Sequence, residues 1–185
     1  MRALVVVESM FGNTRHVASA IAEGLSSAFT VDVLDVGMAP TTVESDVDLL
    51  VVGGPTHAFS MSRESTRTSA VQQGAHDVSS RGIREWLELL ERDARHTPAA
   101  AFDTRIKKPL VPGSAARAAQ RRLRRLGFRL VVPAESFGVM GTSGPLGPGE
   151  LDRAREWGRT LAGRFAITSK EQRSRFADPA GDAGG

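Results

Sequence analysis

The chain contains no cysteine and no tyrosine, and its aromatic residues are eight phenylalanines and two tryptophans. Without cysteine there can be no disulfide, no cysteine-ligated iron–sulfur cluster, no zinc ribbon and no thiol nucleophile. Any redox chemistry must therefore use an organic cofactor. The four histidines, His16, His57, His76 and His96, are scattered and lack the paired spacing of a helical metal motif, so no metal site is expected. Also missing is any apolar stretch near the roughly 20 residues that span a bilayer. The first apolar run, Ala3 to Val7, is too short for a secretory leader and has no cleavage site after it. These absences lead us to expect a cytoplasmic protein with no membrane insertion. Basic residues outnumber acidic ones by only 24 to 21, so nucleic acid is not an expected partner. Arg117, Arg121, Arg122, Arg124 and Arg125 nonetheless fall in one predicted helix, which reads either as a solvated face or as a surface for an anionic partner.

A length of 185 residues suits one α/β domain, expected over residues 1–168, with a polar and flexible tail over 169–185 that lacks a periodic apolar face. Ala3 to Val7 reads as a buried strand. Over Thr14 to Ala28, Val17, Ala18, Ile21, Leu25 and Ala28 recur at helical spacing and predict a helix that covers a sheet. Val31 to Val36 alternates as an edge strand does, whereas Leu49 to Val52 is continuously apolar and should be central. Between them, Gly37 to Asp48 suggests a loop with a short helical crossover. Met61 to Arg81 is long and polar, with a helix across Arg63 to Gln73 and a loop after Gly74, a position that would also permit a lid. Further helices are expected at Ile83 to Glu91, with Trp86 in the core, at Ser114 to Leu126, and after Pro148-Gly149 with an apolar face reaching Phe165. The fourth and fifth strands are Ala99 to Phe102 and Leu130 to Val132, separated by a loop from Asp103 to Gly113. Five strands alternating with helices predict a doubly wound, three-layer α/β sandwich with a five-stranded parallel sheet.

The most informative stretch is Ser9-Met10-Phe11-Gly12-Asn13-Thr14, between the first strand and first helix. A tight turn of this kind directs several backbone N–H groups at one anion, and the positive end of the helix dipole adds to the attraction. Gly12 admits conformations denied to other residues, and Ser9, Asn13 and Thr14 offer short polar side chains that bond a phosphate or cap the helix. Capping alone would also account for the turn. Gly53-Gly54-Pro55-Thr56-His57-Ala58-Phe59 ends the central strand, and Asp103-Thr104-Arg105 follows the fourth.

These three strand ends together resemble the flavodoxin-like superfamily, over roughly residues 1 to 166. The resemblance implies strand order 2-1-3-4-5 and a flavin mononucleotide (FMN) cofactor at the switch between the first and third strands. It implies that Ser9, Met10, Phe11, Gly12, Asn13 and Thr14 surround the phosphate, that Pro55, Thr56, His57, Ala58 and Phe59 flank the ribityl chain and ring, and that Asp103, Thr104 and Arg105 edge the far side. Met10 and Phe11 stand where flavodoxins often carry hydroxyl residues, and no tyrosine is present for the far face. Flavodoxin carriers are similar to one another in being strongly acidic, and here that balance is reversed. The implied function is electron transfer between a reductase and an unidentified redox partner or small-molecule acceptor. Two alternatives stay open: a flavodoxin-like quinone or protoporphyrinogen oxidoreductase, and a flavodoxin fold that has lost flavin and acts as a binding module.

Overall fold

The computed structural model describes residues 1–57, 60–106 and 113–176, with side chains as far as Phe165. Its centre is a parallel sheet built on β1 (Arg2–Val7), β2 (Thr30–Asp35), β3 (Val47–His57), β5 (Pro98–Ile106), β6 (Arg129–Leu130) and β7 (Glu135–Val139). β4 (Ser60–Met61) pairs antiparallel with the end of β3, Thr56 opposite Met61. The order is β2-β1-β3-β5-β6, with β7 continuing along β5 beyond β6. With β4 set aside, and β6 and β7 taken as two pieces of one interrupted strand, this is the expected order 2-1-3-4-5.

The helices are α1 (Asn13–Leu25), α2 (Glu64–Gln72), α3 (Ile83–Leu89), α4 (Ala115–Arg125) and α5 (Glu150–Phe176). α1 and α5 cover one sheet face, where Val17, Ile21, Leu161 and Phe137 pack on Val5 and Val51. α3 and α4 cover the other, where Trp86, Leu87 and Leu123 pack on Val6, Leu50 and Val52. β3 is central because Leu49 through Gly54 are buried without a break, which suits a strand covered on both sides. β2 is an edge strand of intermediate and exposed residues, as its alternation predicts.

Four elements differ from the sequence expectation. The β2–β3 connection forms no helix; Asp35 accepts the Gly37 N–H at 2.8 Å, and Arg81 and Trp86 donate to its carbonyls at Val36, Ala39 and Pro40. β5 does not stop at Phe102 but runs to Ile106, because Asp103 and Thr104 are buried with hydrogen-bond partners despite their polarity. The fifth strand lies in two pieces around Pro133, which has no N–H to give a ladder, and its longer piece Glu135–Val139 was not anticipated. The last helix continues past Phe165 to Phe176, while 177–185 lie outside the described residues. No helix among the described residues is long and apolar enough to cross a membrane.

α1 and α5 meet backbone to backbone. A Cβ on Gly158 would stand 2.3 Å from the carbonyl oxygen of Ile21, and one on Gly24 would stand 2.1 Å from that of Arg155. Gly163, in the same helix, has open space around it. Gly158→Ala should therefore lose about 1–3 kcal/mol to crowding, more than the roughly 1 kcal/mol that alanine gains in helix propensity. Gly163→Ala should be neutral or stabilising. Urea midpoints of the two variants should move in opposite directions relative to wild type, and a shared direction would show that the helix pair can spread at no cost.

Candidate functional site

The carboxyl ends of β1, β3 and β5 converge where α1 begins. Gly12 sits at φ 84°, a left-handed conformation that a side chain would strain, and its N–H donates to Ser9 Oγ at 3.1 Å. α1 then starts at Asn13 with no side chain capping its first turn, so its leading amides project toward the strand ends with the positive end of the helix dipole. Asn13 Nδ2 donates to the Ser143 carbonyl at 2.9 Å, tying the turn to the loop after β7. Thr14 Oγ1 and Thr104 Oγ1 share a buried hydrogen bond of 2.7 Å, which joins α1 to β5.

These ends enclose a cleft of about 150 Å³. Its lining takes in Met10, Phe11, Asn13, Thr14, Pro55, Thr56, His57, Thr104 and Arg105, all anticipated from the sequence, together with Ile106, Val139 and Thr142. The last three were missed because β5 was ended at Phe102 and β7 was not recognised. A polar stretch between the apolar residues Phe102 and Ile106 was the available signal for a strand that emerges from the core at a site. Three anticipated residues do not line the cleft. Ser9 is fully buried and closes the turn, and Gly12 serves through its backbone. Asp103 is also fully buried: its carboxylate accepts from Thr56 Oγ1, Ser114 Oγ and the Ala116 N–H at 2.9, 2.6 and 3.0 Å, which starts α4. Ala58 and Phe59 lie outside the described residues.

No carboxylate is among the described residues that line the cleft. His57 is partly buried, and desolvation pulls its imidazole below the usual histidine value, so it is neutral at neutral pH. Arg105 brings the positive charge, its guanidinium held by the Gly113 carbonyl at 2.8 Å.

Similar architectures occur among solved structures. Oxidised flavodoxin 2 from Bacillus cereus is 17% identical with a TM-score of 0.64, the alignment covering 89% of this chain and 99% of that one. The Streptococcus pneumonia TIGR4 flavodoxin is 16% identical, with a TM-score of 0.64 and the same coverage of 89% and 99%. A WrbA-like flavodoxin from Agrobacterium tumefaciens is 16% identical with a TM-score of 0.52, over 88% of this chain and 95% of that one. No protein-family model and no curated protein sequence matches the chain. At these identities the likeness is one of fold, and the fold is flavodoxin-like.

The residues present fit the flavin mononucleotide implied by the resemblance. A phosphate needs N–H donors and positive potential, which the uncapped first turn of α1 and the Asn13 amide offer. A flat conjugated ring needs apolar walls with few polar groups, which Phe11, Pro55, Ile106, Val139 and the neutral His57 offer. Sites for ligands of this size are usually about 300–1,000 Å³. The cleft is smaller, and chain segments 58–59 and 107–112, which continue from its rim, lie outside the described residues.

Behind the turn lies a polar cluster that the sequence did not reveal. Glu8, isolated in the sequence, is 1% exposed. Its carboxylate accepts from Ser62 Oγ at 2.5 Å and from the Ile83 N–H at 2.8 Å, while Arg67 reaches Ser62 Oγ at 3.2 Å and Glu85 at 3.0 Å. Segment 61–81 contributes nothing to the cleft lining; it is fastened to β1 by this cluster and by Met10 against Ala70 and Ala75. Burial raises the Glu8 carboxyl above its ordinary value of 4.5, against the opposing pull of its hydrogen bonds and Arg67. A raised folded value means that the folded state holds the proton more tightly, so Glu8 costs stability as pH rises from 4.5 through that value. Glu8→Gln should therefore gain on wild type as pH rises above 4.5, read from urea midpoints at each pH. Glu8→Ala, which takes the acceptor from the Ser62 O–H and the Ile83 N–H, should lose about 1–3 kcal/mol at every pH. A constant difference between wild type and Glu8→Gln would remove Glu8 as the titrating group.

Proposed function

We propose that this chain binds FMN in the cleft at the ends of β1, β3 and β5 and passes electrons between a reductase and an acceptor. One observation carries the reading: the uncapped N-terminus of α1 opens onto a cleft whose described lining holds no carboxylate, at the point where the sheet order switches between β1 and β3. When bound, the flavin would supply the electron chemistry. The chain's own residues would do the rest. Asn13 and the first amides of α1 hold the phosphate, and Gly12 gives the backbone the conformation that aims them. Thr56 and Thr104 meet the ribityl chain, each also bonded within the protein, to Asp103 and Thr14 respectively, and so preset in orientation. Pro55, His57 and Ile106 bound the ring and exclude water. Arg105 supplies positive charge at the rim, and His57 stays uncharged.

The oxidoreductase alternative required Met61 to Arg81 to shape a substrate pocket beside the flavin. The absence of that segment from the cleft lining supports the carrier reading instead.

Purified protein mixed with FMN should keep flavin absorption bands after desalting, and it should bind FMN at least about tenfold more tightly than riboflavin, about 1.4 kcal/mol, because the phosphate meets the helix terminus. Colourless protein after loading would sink the reading and favour a fold that has lost its flavin; equal affinity for the two flavins would remove the phosphate from α1. A second expectation concerns charge. Reduced flavin gathers negative charge, which Arg105 stabilises, so Arg105→Glu should lower the midpoint potential in a redox titration, by on the order of 1 kcal/mol in free energy. An unchanged potential would place Arg105 away from the ring.

A further inference from the structure

On three of the other helices, arginines meet carboxylates. On α5, Arg153 meets Glu135 and Glu150, Arg155 meets Glu23 and Asp152, and Arg159 meets Glu156. Arg15 on α1 meets Asp35 and Asp77, and Arg67 on α2 meets Glu85. α4 departs from this pattern. It holds five arginines and no acidic residue, AARAAQRRLRR, and among the described residues none of them enters an ion pair. Arg117, Arg121, Arg124 and Arg125 are exposed. Clustering like charges on one helix face costs folding free energy through repulsion and yields no internal compensation here.

The cluster is not a bare convex face. Arg121, Arg122 and Arg125 line a groove of about 260 Å³ between α3 and α4, joined there by Arg84 and opposed, among the described residues, by one carboxylate, Glu88. Two of these guanidiniums are already fixed. Arg84 donates to the carbonyls of Ser62 and Met61 at 3.0 and 2.7 Å, and Arg122 donates to that of Leu87 at 3.2 Å. Neutral carbonyls orient a guanidinium without cancelling its charge, so the groove presents preset, unneutralised forks suited to carboxylates. Met61, half-buried, adds apolar surface to its wall, with Leu87 buried beneath. Met61 also pairs with Thr56 of β3, whose side chain lines the cleft, so the β3–β4 ribbon separates groove from cleft.

We propose that the α3/α4 groove is the docking surface for an acidic partner protein, which seats carboxylates on Arg84 and Arg122 and is drawn in by Arg121 and Arg125. That this partner exchanges electrons with the cleft rests on the FMN reading; the docking does not. The concave shape suits protruding side chains better than the plane of a membrane, and among the described residues no aromatic lines the groove to stack on a base.

The test uses the full chain, FMN-loaded and FMN-free, with a fluorescent poly-glutamate peptide of about 20 residues as probe at about 50 mM salt, where screening is weak. Amide shift changes should map to Ser60–Met61, α3 and α4. Arg121→Glu with Arg125→Glu should weaken binding at least about tenfold. Arg155→Glu with Arg159→Glu, the same change of charge at ion-paired positions on α5, should change it less than about twofold. Equal losses from the two pairs, or shifts centred on α5, would overturn the proposal. So would displacement of the peptide by inorganic phosphate at about 1 mM, or tighter binding of duplex DNA or phosphatidylserine vesicles. Flavin retention, measured on the same samples, separates the two readings: peptide binding without flavin leaves the groove standing, and flavin without peptide binding leaves the cleft standing.

Discussion

The structure depends most on how closely α1 can approach α5. Where Gly24 and Gly158 face one another, backbone meets backbone, and neither helix has room to roll or slide without opening the core beneath. That contact sets the tilt of α1, and the tilt sets where its first turn points. The aim of α1's first turn is therefore specified partly by residues at the helix's far end. A similar constraint acts in the sheet, where Gly53 leaves room for the Phe102 ring, a Cβ there standing 2.0 Å from it. Phe102 in turn meets Phe137 and Trp157 edge to face, so β3, β5, β7 and α5 lock together directly under the cleft.

Much of this was legible in the sequence because periodicity reports burial directly. Val17, Ala18, Ile21 and Leu25 identified α1, and the unbroken run Leu49 to Val52 identified the central strand. Trp86, expected in the core, is fully buried. The turn at Gly12 was legible for a different reason: glycine followed by asparagine and threonine between strand and helix has few other uses. What was not legible is polarity that is buried because it is paired. Asp103 reads as loop, yet it lies in the core because three donors converge on it, and one of its oxygens has no partner among the described residues. Glu8 stands alone in the sequence, yet it is sealed by Ser62 and Ile83 from segments more than fifty positions away. No local pattern announces such long-range pairing. Pro133 hid β7 in the opposite way, by a breaker that interrupts a strand without ending it.

Charge is distributed over the fold with an evident asymmetry. On the α1/α5 face arginines and carboxylates interleave, Arg155 even linking the two helices through Glu23. On the α3/α4 face the positive charge of α4 stands unanswered. A net charge of +3 conceals this, since a small sum is compatible with one balanced face and one unbalanced one. Long-range electrostatic attraction follows the local field and not the sum.

Asp103 brings these themes together. One oxygen of its carboxylate takes the N-terminus of the arginine helix on one side and Thr56 of the cleft wall on the other, and Thr56 Oγ1 also accepts the Ala115 N–H at 2.9 Å. The wall of the cleft and the start of α4 thus share a single fastening. Such sharing removes a degree of freedom: the arginine helix cannot shift its origin without disturbing the cleft wall, so the two move as one unit.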